Sequence, residues 1–97
     1  MNKQLTVVAN IHAHPESLDL FKAELEKVIG PTRAEPGCLK YDLHQNNEDP
    51  CHFMFFEIWE SKELWDQHME SEHIKRYAQA TEGAVADFTV EQMSLIG

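Results

Sequence analysis

Basic side chains are scarce in this sequence of 97 residues, which has 8 Lys and Arg against 17 Asp and Glu and a net charge of −9. Proteins that bind nucleic acid or anionic membranes neutralise phosphate groups with Lys and Arg. The charge balance therefore argues against both kinds of partner. No stretch approaches the roughly 20 consecutive apolar residues that a membrane helix needs, so we expect no membrane contact.

Cysteine is also scarce, and the two thiols belong to Cys38 and Cys51. The amino-terminal segment has no apolar signal-peptide core followed by a small-residue cleavage site. Together these features predict a cytoplasmic protein with reduced thiols, although a Cys38–Cys51 disulfide stays open as an alternative.

Several sequence motifs of common cofactor and catalytic sites are missing. The sequence has no G-x-G-x-x-G, no G-x-x-x-x-G-K-[ST] and no G-x-S-x-G, so we expect no nucleotide, flavin or serine-hydrolase chemistry. His12 and His14 form an H-x-H pair, but no third ligand follows at a diagnostic spacing. We therefore expect no metal.

Hydrophobic periodicity predicts the order βαββαβ. Strands are predicted over residues 5–12, 38–45, 52–60 and about 87–95. Residues 38–45 alternate cleanly between apolar and polar, and the last strand switches parity, which predicts a bulge near Glu91–Gln92. A helical stripe follows Pro15, and Gly30–Pro31 is expected to end or kink that helix, although one more turn stays open. The second helical region is expected in two pieces, capped by Ser61 and Ser71. This order is typical of one α+β, ferredoxin-like domain over residues 1–97, with an antiparallel sheet and helices on one face.

The third predicted strand is apolar on both faces. Met54, Phe56 and Ile58 lie opposite Phe55 and Trp59. A chain of this length buries only roughly 60–65% of the surface that it exposes when unfolded. Helices cover one face of the strand, and we expect a second copy of the chain to cover the other. The sequence thus predicts a homodimer.

Glu57 lies between Phe55 and Trp59 on one face of that strand. A carboxylate in such a place is costly to bury unless it is paired or protonated. Two interpretations stay open. The first is an ion pair, for which the candidate cations are Lys40, Arg33 and Arg76. The second is a desolvated carboxylate with a raised pKa, which exchanges a proton near neutral pH.

His68 shares the apolar face of the next helix, which we expect to pack over the sheet near Glu57. Imidazole is the side chain best suited to proton transfer near pH 7, and the alternative is a core histidine satisfied by a carbonyl group. His73 follows five positions later, about 140° further round an ideal helix. The two histidines therefore form no metal clamp unless the helix breaks at Glu70–Ser71. His73 is expected at a pocket mouth with Tyr77 or on the surface.

Four segments carry a resemblance to a known family: E-P-G-C-L-K-Y-D-L-H (35–44), D-P (49–50), F-x-x-x-E-x-W-E-S (53–61) and H-x-x-x-x-H (68–73). From Val7 to Val90 the sequence resembles the antibiotic biosynthesis monooxygenases, which are small dimeric α+β barrel proteins that include quinol monooxygenases. The resemblance implies a pocket with Glu57 and Trp59 at its base. The family's haem-degrading branch uses a histidine where this chain has Ala78, so we expect no haem.

The resemblance implies a cofactor-independent monooxygenase that uses O₂ to oxidise a small aromatic substrate, a quinol or polyphenol, after deprotonation by His68, with Glu57 orienting or relaying. The expected substrate contacts are Trp59, Asn10, Phe55, Tyr41, His44, His73 and Tyr77. The register of the hairpin decides whether Tyr41 or His44 shares the pocket. Two alternatives stay open: an isomerase of a phosphorylated dicarbonyl signalling compound, and a non-catalytic dimeric ligand-binding module.

Overall fold

The structure, a computed structural model, describes residues 3–97 and follows the predicted order of elements. The described chain forms four strands and three α-helices, and a short 3-10 helix (Pro15–Ser17) precedes the first α-helix. The elements are β1 (Leu5–Ala13), α1 (Leu18–Arg33), β2 (Cys38–Gln45), β3 (His52–Trp59), α2 (Lys62–Met69), α3 (Glu72–Ala80) and β4 (Val85–Met93). None of the helices within residues 3–97 is long and apolar enough to span a membrane.

The four strands form one antiparallel sheet in the order β2-β3-β1-β4. The first and third strands are therefore central, as in a ferredoxin-like sheet. In the register, Val7 of β1 and Tyr41 of β2 lie on either side of Glu57 in β3. The α+β, ferredoxin-like fold is therefore the one that the periodicity predicted.

The two faces of the sheet differ in burial. On the helix-facing side of β3, Phe53, Phe55, Glu57 and Trp59 are all buried. The residues between them are half-buried and face away from the helices. This arrangement follows from the two-residue period of a strand, and it places Glu57 under the helices with its aromatic neighbours.

Of the two alternatives for the end of α1, the further turn is confirmed: the helix continues through Pro31 to Arg33, and the amide of Ala34 donates to the carbonyl of Gly30 at 3.2 Å. The predicted bulge in the last strand is wrong. The pairing of β1 with β4 is regular through residues 91 and 92, and its one irregularity within the described chain lies between His12 and Ala13. Strand β4 ends at Met93, so no bulge near Glu91–Gln92 is needed.

The second helical region breaks where the sequence predicted. The hydroxyl of Ser61 accepts a hydrogen bond from the Leu64 amide at 3.3 Å and caps α2. Ser71 begins α3 but makes no such cap, because its hydroxyl donates to the carbonyl of His68 at 2.7 Å. This bond ties the end of α2 to the start of α3.

Candidate active site

A cavity of about 400 Å³ lies between the sheet and the helices. Its walls are mostly apolar and come from all four strands on the sheet side and from all three α-helices on the other. The cavity opens at β4, where Phe88 and Val90 line it and stay exposed to solvent. Two buried side chains that can exchange protons near neutral pH, Glu57 and His68, interrupt the apolar walls.

Glu57 is 4% exposed and forms no ion pair with any residue among 3–97. Its Oε1 accepts a hydrogen bond from the indole Nε1 of Trp59 at 2.9 Å. Burial raises the pKa of Glu57 from 4.5 to about 7, and the Trp59 bond opposes this rise without cancelling it. The ion-pair interpretation is therefore wrong. Its candidate cations lie elsewhere: Lys40 and Arg33 contact Asp42, and Arg76 lies beside a separate small pocket.

His68 projects from α2 into the same region and is 2% exposed. Its Nδ1 lies 2.7 Å from Oε2 of Glu35. Its ring centroid lies 4.8 Å from that of Trp59, and the ring meets Tyr41 edge-on at 5.5 Å. Burial lowers the pKa of His68, although Glu35 opposes this fall. A neutral imidazole near pH 7 follows from the lowered pKa.

Glu35 is the site residue that the sequence did not single out. It follows α1, 33 positions from His68, and its Oε2 also lies 2.7 Å from Nε2 of His73. The two histidines meet at one carboxylate because the helix breaks between α2 and α3, at Glu70–Ser71. The one sequence signal for Glu35 is its place at the start of the E-P-G-C segment that carries the family resemblance.

Glu35, His68 and His73 also form the one group of three or more potential metal ligands within residues 3–97, with donor atoms within 4.8 Å of one another. Ligands at 2.0–2.1 Å from a tetrahedral zinc ion stand roughly 3.3 Å apart. Here both nitrogens lie 2.7 Å from a single oxygen, which is the length of a charge-assisted hydrogen bond. The geometry is therefore that of two donors on one shared acceptor.

Three predicted substrate contacts line the cavity: Phe55, Tyr41 and Tyr77. The rings of Tyr41 and Phe55 stack with centroids 4.5 Å apart. The hairpin register places Tyr41 opposite Glu57, and it places His44 opposite Met54 on the other face of the sheet. The question left open by the sequence is thus answered in favour of Tyr41.

The other four predicted contacts do not line the cavity. Asn10 lies on the open face of the sheet and accepts a hydrogen bond from His52 Nε2 at 2.8 Å. His44 is exposed on that face. Trp59 is completely buried beneath His68, and His73 lines the small separate pocket with Tyr77. Asn10 and His44 do not reach the cavity because their strand positions place them on the open face of the sheet. Trp59 does not reach it because His68 packs over its ring.

The family model described as antibiotic biosynthesis monooxygenase matches residues 4–80. The chain belongs to this family. A Mycobacterium tuberculosis protein, Rv0793, carries a provisional monooxygenase name and is 34% identical over 77 residues, which are 79% of this chain and 75% of that protein. The crystal structure of PA3566 from Pseudomonas aeruginosa superposes with a TM-score of 0.94 at 32% identity and covers 100% of this chain and 98% of that one.

One similar protein is considerably longer than this chain. An uncharacterised protein of Synechocystis sp., sll1783, is 27% identical over 82 residues, which are 84% of this chain. The match covers 56% of that protein, so this chain spans little more than half the length of the relative.

Proposed function

We propose that this family member is a cofactor-independent monooxygenase that oxidises an uncharged quinol or polyphenol with O₂. The observation that carries the proposal is the cavity of about 400 Å³, in which two buried proton-exchanging groups, His68 and Glu57, interrupt otherwise mostly apolar walls. A cavity of this size and character suits a small aromatic ring system. An electron-rich phenolate reduces O₂ without a metal or flavin once the protein has removed its proton.

His68 takes the proton of the substrate hydroxyl in this mechanism. Its Nδ1 is bonded to Glu35, and its Nε2 makes no hydrogen bond within residues 3–97. Because no fully buried side-chain nitrogen or oxygen of the described residues lacks a partner, Nε2 is open to solvent. The ring lines the cavity, so Nε2 is available to a bound phenol. A positioned general base of this kind contributes about 10²–10⁴-fold to a rate.

Oxygen supplies one atom to the product and one to water. A quinol loses four electrons: two when one ring C–H becomes C–OH and two when the quinol becomes a quinone. The balanced reaction converts one quinol and one O₂ into one hydroxyquinone and one water. Glu57, whose pKa lies at about 7, relays protons to and from the oxygen-bearing intermediate near neutral pH.

The charge of the cavity argues against the isomerase of a phosphorylated compound. No Lys or Arg of residues 3–97 lines the cavity, and its ionisable carboxyl groups are Glu57 and Glu82. A phosphate group needs cationic or backbone N–H partners. The cavity is not filled by its own side chains, and a non-catalytic ligand-binding module is distinguished from the monooxygenase by binding a quinol without consuming O₂.

Oxygen uptake by metal-stripped protein tests the proposal. The panel consists of reduced naphthoquinols and benzoquinols, and each is run beside a control without protein because quinols oxidise spontaneously. We expect uptake well above the control, with one O₂ consumed per hydroxyquinone formed. No excess uptake with any member of the panel would contradict the proposal.

We also propose that the open face of the sheet pairs with a second copy of the chain. Val8, Phe56 and Ile58 face away from the helices and are half-buried in the single chain. Pairing two such faces removes apolar surface from water, at about 25 cal/mol per Å². Light scattering is expected to give twice the chain mass, and Phe56→Glu is expected to give the single-chain mass. A wild-type protein of single-chain mass would contradict the homodimer.

A further inference from the structure

One oxygen atom, Oε2 of Glu35, lies 2.7 Å from a nitrogen of each of two histidines, Nδ1 of His68 and Nε2 of His73. An ionised carboxylate has no proton to donate and can only accept. Each of these two nitrogens must therefore carry the proton that it shares with Glu35. In a neutral imidazole the other nitrogen is then an acceptor.

We propose that Glu35 is a positioning residue that fixes His68 in the tautomer protonated at Nδ1, so that the lone pair of Nε2 meets the substrate in the cavity. The assignment of the tautomer concerns the ligand-free protein alone. The effect of Glu35 on turnover rests on the proposed function. Without Glu35, His68 is free to carry its proton on Nε2. The nitrogen at the cavity is then a donor and cannot accept the substrate proton.

The backbone around Glu35 holds its carboxylate in place. The Glu35 amide donates to the carbonyl of Thr32 at 3.0 Å, and the Cys38 amide donates to the carbonyl of Glu35 at 3.2 Å. Gly37 has φ +83°, a left-handed conformation that favours glycine. A Cβ at this position would overlap the side chain of Leu64 on α2. The turn that carries Glu35 therefore packs directly against the helix that carries His68.

His73 holds the carboxylate from the other side. Its Nε2 lies 3.1 Å from the hydroxyl of Thr32 as well as 2.7 Å from Glu35, and its ring is partly buried. The Ser71 hydroxyl donates to the carbonyl of His68 and fixes the two helices at the break. With one N–H group on each side, the carboxylate cannot rotate away from His68 without breaking both hydrogen bonds.

The tautomer is measured directly in ligand-free, metal-free protein with ¹⁵N-labelled histidine, by the two-bond ¹H–¹⁵N correlations of the imidazole rings. We expect His68 to show the pattern of a neutral ring protonated at Nδ1. A His68 protonated at Nε2 would overturn the proposal. This measurement needs neither a substrate nor a variant, so it decides the assignment of the tautomer even if no quinol is oxidised.

Kinetics of Glu35→Gln test the effect of Glu35 on turnover. The glutamine amide presents a donor as well as an acceptor to the two histidines, so it no longer dictates the His68 tautomer. We expect kcat to fall by about 10²–10⁴-fold while KM changes little, with partial recovery in Glu35→Asp. The matched control is Glu63→Gln, which removes one negative charge from the exposed side of α2.

Three outcomes separate the two proposals. An unchanged kcat in a folded Glu35→Gln protein would overturn the positioning role, and so would a rise in KM alone. A wild-type protein that shows the Nδ1 tautomer but oxidises no quinol would refute the proposed function and leave the structural assignment standing.

Discussion

Replacing His68 with asparagine is expected to lower kcat for quinol oxidation by about 10²–10⁴-fold. The asparagine amide can still donate to Glu35 in place of Nδ1, but it has no acceptor nitrogen at the position of Nε2. The fall in kcat therefore reports the loss of proton removal alone, because the hydrogen bond to Glu35 is kept. KM is expected to change little, since the apolar contacts of the cavity remain. Steady-state oxygen uptake over a range of quinol concentrations measures both constants.

The matched control for this prediction is His14→Asn, because His14 precedes the short 3-10 helix and lies outside the cavity. Its kcat is expected to equal that of the wild type. Thermal unfolding of both variants shows whether they are folded. A folded His68→Asn protein with wild-type kcat would remove His68 from the mechanism and would direct attention to Glu57 as the base.

Replacing Glu57 with glutamine is expected to change how stability depends on pH. The pKa of Glu57 is about 7 in the folded chain against 4.5 for the ordinary group. The folded state therefore binds the Glu57 proton more tightly than the unfolded state does, and the contribution of Glu57 to wild-type stability falls as pH rises from about 4 to 8. A tenfold change in a binding constant corresponds to about 1.4 kcal/mol, so this one group costs up to about 3 kcal/mol at the upper end.

Glutamine has no such ionisation, yet its carbonyl can still accept the Trp59 hydrogen bond. Near pH 4–5 we expect Glu57→Gln and wild type to have similar free energies of unfolding. Near pH 8 the variant is expected to be more stable by about 2–3 kcal/mol. Urea unfolding of both proteins at both pH values gives the difference between their free energies of unfolding. His68 and the other ionisable groups are present in both proteins, so their titration cancels in this difference. Glu60→Gln, on an exposed position nearby, is the control. A difference independent of pH would show that Glu57 ionises as an ordinary carboxyl group.

The pattern of β3 predicted its face correctly because strand periodicity is local. Phe55, Glu57 and Trp59 alternate with apolar residues that face the other way, so their common burial follows from two-residue spacing alone. The spacing did not show whether the Glu57 carboxylate is paired with a cation or is buried without one. Pairing depends on where cations from other elements lie, and in the structure Lys40 and Arg33 both contact Asp42 instead.

Asn10 shows how a polar residue can be assigned to the wrong side. Val7, Ala9 and Ile11 of β1 are buried on the face toward the helices. Asn10 lies between them in sequence, so its side chain faces the opposite way. The family resemblance suggested a site role for Asn10, but on the open face it bonds His52. Parity within the strand was the better guide.

Glu35 could not be found from local patterns because its partners come from two other elements, 33 and 38 positions away. The β2–β3 hairpin separates Glu35 from His68 along the chain. The two residues come together because the turn at Gly37 packs closely against Leu64 of α2. Such a convergence depends on tertiary packing. The sequence did supply its precondition, the helix break at Glu70–Ser71, which brings His73 beside His68.

The most direct measurement of the central claim follows the oxygen atoms. Metal-stripped protein is supplied with ¹⁸O₂ and a quinol that supports uptake, and the hydroxyquinone is analysed by mass spectrometry before its oxygens exchange with water. We expect one labelled oxygen atom in each product molecule, because a monooxygenase places one atom of O₂ in the substrate and the other in water. An unlabelled quinone formed together with hydrogen peroxide would contradict the account.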